Sequence, residues 1–212
     1  YIRLIEPGPH IPEAAIQALL DKAEAYANPN DIWVASGSLP QDVPDDFYAR
    51  LIRLLKEKGV RLFFDTNDNP LRIGSVEAPF LVKPDLAEVA NITGIEVTNY
   101  EDAKRAALPF LRMGVQHVAI SLGSLGVLLA SQNKIVLAMP PTLAPRNVTG
   151  AGDAIMAGLA YGFSQNMPLN EVALWAAAFG AVVISTEWLA SVSITDLRDM
   201  LPRVEVRTVN VM

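Results

Sequence analysis

Asn147-Val148-Thr149-Gly150-Ala151-Gly152-Asp153 runs directly into the small-residue segment Ala154–Ala160. Two glycines and an alanine at a helix start leave backbone N–H groups bare. Such a terminus binds anions through free amides and the positive end of the helix dipole. A carboxylate just inside an anion site is a poor phosphate ligand, because like charges repel. It suits a general base beside a phosphoryl group in transfer. The plainer reading is a Gly-rich turn followed by an ordinary first-turn acid, which the dipole favours in any case.

Two further strand-end sequences carry polar residues at useful spacing. Ser121-Leu122-Gly123-Ser124-Leu125-Gly126 would let a ligand approach backbone, although a β-hairpin turn has the same look. Lys83-Pro84-Asp85-Leu86-Ala87-Glu88 places two carboxylates three apart on the first turn of a helix. They could face Mg²⁺ or its waters, and N-terminal capping explains the spacing equally well. Asp65 and Asp68 also follow a strand, and either face the cleft or sit in a solvated turn. His10 and His117 have no partner at ligand spacing and read as structural. Trp33, Trp175 and Trp188 read as core or interface.

The elements that must position these residues alternate along the chain. Helical patterning covers residues 11–27, 45–58, 86–92, 101–113, 151–164, 169–185 and 195–201, with Gly59 and Gly94 at helix ends and a kink expected at Pro109. Apolar, β-rich runs at residues 32–35, 60–65, 80–82, 118–121, 126–130, 134–138 and 204–209 predict strands. Fully apolar strands alternating with helices imply an α/β fold with a mainly parallel sheet covered on both faces. Ligands in such sheets bind at the carboxyl ends of the strands.

Bulk properties exclude several classes. The 212 residues carry a formal charge of −6, with no basic run, which disfavours nucleic acid and anionic membranes. With no cysteine there is no disulfide or thiolate chemistry, and a reducing, cytoplasmic setting fits. The longest apolar run, Val172–Ile184, is too short to span a bilayer. Tyr1–Pro9 lacks the pattern of a signal peptide. The chain starts without methionine, consistent with a fragment. No repeat or linker divides it.

GAGD at Gly150–Asp153, with SxGxxG, KPDxxE and Ala35-Ser36-Gly37-Ser38-Leu39-Pro40, resembles the ribokinase-like sugar kinases of the phosphofructokinase B family. Gly37–Pro40 followed by Asp46-Phe47-Tyr48, and Glu6-Pro7-Gly8-Pro9, point to its phosphosugar branch: fructose-1-phosphate, fructose-6-phosphate and tagatose-6-phosphate kinases. The resemblance implies a three-layer α-β-α ribokinase-like fold and an ATP- and Mg²⁺-dependent transfer of the γ-phosphoryl group to a sugar hydroxyl. It assigns Asp153 as general base and substrate contact, and Gly150, Ala151 and Gly152 as the anion hole. Lys83, Asp85, Ser121, Gly123 and Gly126 would bind ATP, with Ala177, Gly180 and Ala181 leaving room for the adenine. Glu88 would position Mg²⁺ through water. Ser38 and Arg3 would contact the substrate phosphate.

Residues 1–212 then correspond to the C-terminal part of one kinase domain, with 1–10 as the end of its lid. The N-terminal strands and most of the lid would lie upstream. The resemblance leaves room for a homodimer through that lid. Asp85 stands where the family usually has asparagine, and its charge should weaken nucleotide binding unless Mg²⁺ neutralises it. Trp188 replaces a family glycine and argues against a monovalent-cation site beside the anion hole. Rival functions are a kinase of unphosphorylated sugars or nucleosides, an inactive ligand-binding relative, and a dinucleotide enzyme. The last lacks its GxGxxG after the first strand.

Overall fold

The protein is described from a computed structural model covering residues 8–187 and 192–209. Seven strands form one sheet in chain order: β1 Ile32–Ser36, β2 Arg61–Asp65, β3 Leu81–Val82, β4 His117–Ser121, β5 Val127–Ser131, β6 Ile135–Met139 and β7 Glu205–Val209. β1 to β4 pair in parallel, and their connections are helical. β4 to β7 pair antiparallel, because short turns join β4 to β5 and β5 to β6.

Alternating side chains of the strands feed two cores. Leu62, Phe64, Val82, Val118 and Ile120 face α1 (Glu13–Tyr26), α2 (Phe47–Glu57), α3 (Asp68–Val76), α4 (Leu86–Thr93) and α5 (Tyr100–Arg112). Phe63, Leu81, Ala119, Leu129 and Val136 face α6 (Ala151–Ser164), α7 (Leu169–Ser185) and α8 (Ile194–Met200). These are the three expected layers.

α6 and α7 lie close because small residues line their seam. A Cβ on Gly158 would fall 2.7 Å from Ala176 Cα, and one on Gly180 would fall 2.8 Å from Ile155 Cγ1. Pro109 lies in the last turn of α5, which continues to Arg112. One element departs from the sequence expectation: α3 forms at Asp68–Val76, where no helix was assigned. Its Gly74 is a packing residue, since a Cβ there would meet Phe64 Cε1 at 2.6 Å.

Candidate active site

The carboxyl ends of β1, β2 and β3 and the start of α6 converge at one place. Parallel register sets Ser36 of β1 beside Asp65 of β2, and Phe64 beside Val82, so that Lys83 follows at the same level. Lys83 continues the ladder, its amide donating to the Phe64 carbonyl at 3.0 Å. Lys83 is buried, 4% exposed, and its ammonium bonds Asp65 Oδ2 at 2.9 Å. The Ser36 hydroxyl stands between two carboxylates, 3.5 Å from Asp65 Oδ2 and 3.4 Å from Asp153 Oδ1. With one proton, it can donate to only one of them at a time.

Asp153 is exposed on the first turn of α6. The helix is opened by Gly150 in the left-handed region (φ 81°), and no side chain caps it. Ala151 N–H donates to the Val148 carbonyl at 3.4 Å, and the Gly152 and Asp153 amides are available to an anion. The preceding loop is fixed: Arg146 N–H donates to the Ile184 carbonyl at 2.8 Å, and Asn147 Oδ1 accepts from Thr149 N–H at 2.9 Å. Lys83 Nζ lies beneath this turn, 3.4 Å from where a Cβ on Gly152 would stand.

Asp85 and Glu88 form a reciprocal capping box at the start of α4. Asp85 Oδ1 accepts from Glu88 N–H at 2.9 Å, and Glu88 Oε2 accepts from Asp85 N–H at 2.8 Å. The capping explanation of their spacing therefore holds, and leaves each carboxylate with further acceptor capacity. Burial pushes the Glu88 carboxyl up to about 7, with the Asp85 amide opposing and the Asp85 and Asp65 carboxylates adding to the rise. A cation arriving nearby would favour its ionised form. Among the described residues no three His, Cys, Asp or Glu side chains gather around a common point.

Ser121, Gly123 and Gly126 form the turn between β4 and β5, so the hairpin reading of that sequence is the observed one. Ser121 N–H donates to the Pro84 carbonyl at 3.1 Å and ties this turn to the Lys83-Pro84-Asp85 segment. Gly123 is open, with nothing within 4 Å of its absent side chain. Gly126 is not: a Cβ there would lie 2.0 Å from the Ala138 carbonyl. Ala177 and Ala181 are buried, and Gly180 is filled by Ile155.

Ser38 is exposed and lines a shallow groove of about 380 Å³ with Asp42, Asp45, Asn67 and Asp68. Arg3 and Trp188 lie outside the described residues, as does most of the 1–10 segment; within it, Gly8 packs near Pro40. Asp65 and Asp68 separate: Asp65 faces the cleft, whereas Asp68 opens α3 on the rim. Ser36, Tyr48 and Thr66 were not anticipated. Tyr48 Oη and Thr66 Oγ1 both donate to the Gly37 carbonyl at 2.8 Å and fix the turn after β1. The signal that could have found Ser36 is positional: polar residues ending successive parallel strands meet at one edge of the sheet. His10 pairs with Asp42 at 3.1 Å on the surface, and His117 lies among the Phe80 and Phe163 rings. Among the described residues no helix is long and apolar enough to cross a membrane.

The chain is similar to curated proteins named 1-phosphofructokinase. It is 30% identical to that of Vibrio cholerae over 179 residues, 84% of this chain and 56% of the relative. With that of Rhodobacter capsulatus it shares 36% over 148 residues, 69% of this chain and 47% of the relative. The chain therefore spans about half the length of these relatives. Phosphofructokinase-2 from Escherichia coli, solved with fructose-6-phosphate, superposes with a TM-score of 0.84 at 25% identity, over 95% of this chain and 65% of that one. The same enzyme solved with potassium gives 0.88 at 24% identity. A sequence profile described as "pfkB family carbohydrate kinase" matches residues 8–195, and the chain belongs to that family.

Proposed function

We propose that the full-length protein transfers the γ-phosphoryl group of ATP to a hydroxyl of a small phosphosugar, of the fructose-1-phosphate, fructose-6-phosphate or tagatose-6-phosphate type. The observation that carries this reading is the pairing of an exposed Asp153 carboxylate with the uncapped start of α6, above the buried Lys83 ammonium. Phosphoryl transfer asks little covalent work of the protein and depends on positioning and on stabilising charge. The first-turn amides at Gly150, Ala151 and Gly152 take up charge on the transferred group, and Lys83 adds a fixed positive charge below it. Asp153 accepts the proton of the acceptor hydroxyl, a service worth a factor of ~10²–10⁴.

ATP lies along the rim formed by Lys83, Asp85, Ser121, Gly123 and Gly126, with its base toward the Ala177–Ala181 side of α7. The residues present fit a Mg²⁺ brought in by the nucleotide. Glu88 would hold it through water, and its chemistry there is neutralisation of phosphate charge. Ser38 faces the sugar phosphate. A reducing, cytoplasmic setting suits this chemistry. The relatives named 1-phosphofructokinase favour the phosphosugar class over free sugars and nucleosides. An ADP-release assay of the full-length protein against phosphosugars, free sugars and nucleosides tests the assignment. No turnover with any of them would remove it.

A further inference from the structure

A buried ammonium needs a partner, because an uncompensated interior charge costs several kcal/mol. Lys83 has two carboxylates within reach of its neighbourhood. Asp65 holds it at 2.9 Å, and Asp153 stands one hydroxyl away, through Ser36. Asp65 is the better fixed of the two. Its backbone carbonyl accepts from Gly37 N–H at 2.9 Å, and it sits in register with Ser36 at the end of β2. The Gly37 turn is itself locked by the Tyr48 and Thr66 hydroxyls. Asp153, by contrast, is exposed on its helix.

We propose that Asp65 is a positioning residue for phosphoryl transfer: it holds the Lys83 ammonium under the first turn of α6 and keeps it off Asp153. The proposal rests on the kinase reading above. Lys83 pointed at the anion site stabilises charge on the nucleotide. Lys83 paired with Asp153 would instead neutralise the carboxylate that must accept a proton, since a contacting cation lowers a carboxylate's basicity. One cation is thus assigned between two acids by the rigidity of the strand that carries the first. Burial raises the Asp65 carboxyl above its ordinary range, and Lys83 offsets part of that rise.

A double-mutant cycle tests it. Asp65→Asn and Lys83→Met would be made singly and together in the full-length protein. Each variant would be followed by kcat and KM for ATP, by the dissociation constant of a fluorescent ATP analogue without turnover, and by thermal midpoint. Asp65→Asn is expected to lower kcat/KM for ATP roughly tenfold or more, with losses in both kcat and nucleotide affinity. In the Lys83→Met background the same change should cost less than about twofold, because the partner it acts through is gone. Asp65→Glu, which keeps the charge on a longer arm, covers the case in which the asparagine variant does not fold. It should retain near-parent stability and show the same Lys83-dependent loss. An Asp65 effect equally large with and without Lys83, or unchanged kinetics in a folded Asp65 variant, would overturn the proposal. The analogue titration separates the two readings: coupling seen there in a protein that phosphorylates no acceptor sinks the kinase assignment and keeps the Asp65–Lys83 relationship.

Discussion

Lys83 Nζ lies 3.4 Å from the point where a side chain on Gly152 would begin, so the second residue of α6 is bare directly above the buried ammonium. The contact is tight but not prohibitive. Gly152→Ala should therefore fold, and Ala is favoured over Gly in a helix by about 1 kcal/mol. The added methyl would cover the ammonium from the side on which an anion approaches. The expected outcome is an equal or higher thermal midpoint together with a raised KM for ATP. Parent-like nucleotide affinity in this variant would show that Lys83 does not serve the anion through the α6 turn.

Asp153→Asn should leave ATP affinity within a few-fold while removing most turnover. The base acts on the acceptor hydroxyl and not on the nucleotide. The carboxylate is exposed and bonds the Ser36 hydroxyl at 3.4 Å, so stability should hardly move. Steady-state kinetics beside a melting curve decide it, and an unchanged kcat contradicts the role given to Asp153.

How far the site was legible follows from what each feature depends on. The Gly150–Asp153 start of α6 is a local signal, since glycine, small residues and an acid at fixed spacing require no knowledge of the rest of the chain. The apolar runs of β2, β4, β5 and β6 were legible for the same reason. The Asp65–Lys83 pair was not, because it depends on the register of two parallel strands eighteen residues apart in sequence. The helix α3 was hidden by its own composition. Pro70 is tolerated there because it falls in the first turn, where its missing N–H costs nothing, and Gly74 is required by Phe64. Gly126 and Gly180 carry a packing demand distinct from any ligand role, since a Cβ would meet the Ala138 carbonyl at the first and Ile155 at the second.

Gly126→Ala tests that distinction. Gly126 has φ 98° and its Cβ would meet the Ala138 carbonyl at 2.0 Å. Overpacking costs typically about 1–3 kcal/mol, to which the left-handed backbone adds. The variant should unfold several degrees below the parent in the absence of nucleotide. A midpoint equal to the parent's would show that packing against Ala138 does not require glycine there.

His117 gives a pH dependence of stability. Its imidazole is held by burial at about 4, with Phe80 and Phe163 against it and, among the described residues, no partner for Nδ1. The unfolded chain protonates this group near its ordinary value, so the unfolded state gains protons first as pH falls. Stability is thus whole above about 6.5 and declines toward pH 4, by about 3 kcal/mol at the limit set by 1.4 kcal/mol per pH unit. Glu88 works in the opposite sense: with its carboxyl near 7, it loses stability as pH rises from about 4.5. The His117 contribution is therefore read as a difference. His117→Leu should flatten the fall between pH 6.5 and 4 relative to the parent in urea titrations, and parallel curves would refute the assignment.

The substrate class turns on charge. Among the described residues, the groove beside Ser38 is lined by Asp42, Asp45 and Asp68 and by no lysine or arginine. A sugar phosphate cannot be held there by Ser38 and backbone amides alone against three carboxylates, so a cation must reach the site from elsewhere. Arg3, outside the described residues, is the expected source within this chain. A guanidinium grips phosphate in bidentate fashion, and a hydrogen bond to an ionised group is worth roughly 1.5–3 kcal/mol, or about tenfold or more in kcat/KM. Arg3→Ala should accordingly weaken use of a phosphorylated ketohexose by at least that factor and leave any free-sugar activity nearly untouched. Ser38→Ala should act in the same direction with a smaller loss, because a hydroxyl supplies one donor and no charge. Competition kinetics between fructose-6-phosphate, fructose-1-phosphate and fructose on the full-length protein read both effects. Equal turnover of free fructose and of each phosphosugar would overturn the phosphosugar assignment, while the transfer chemistry at Asp153 and Lys83 rests on other residues and would stand.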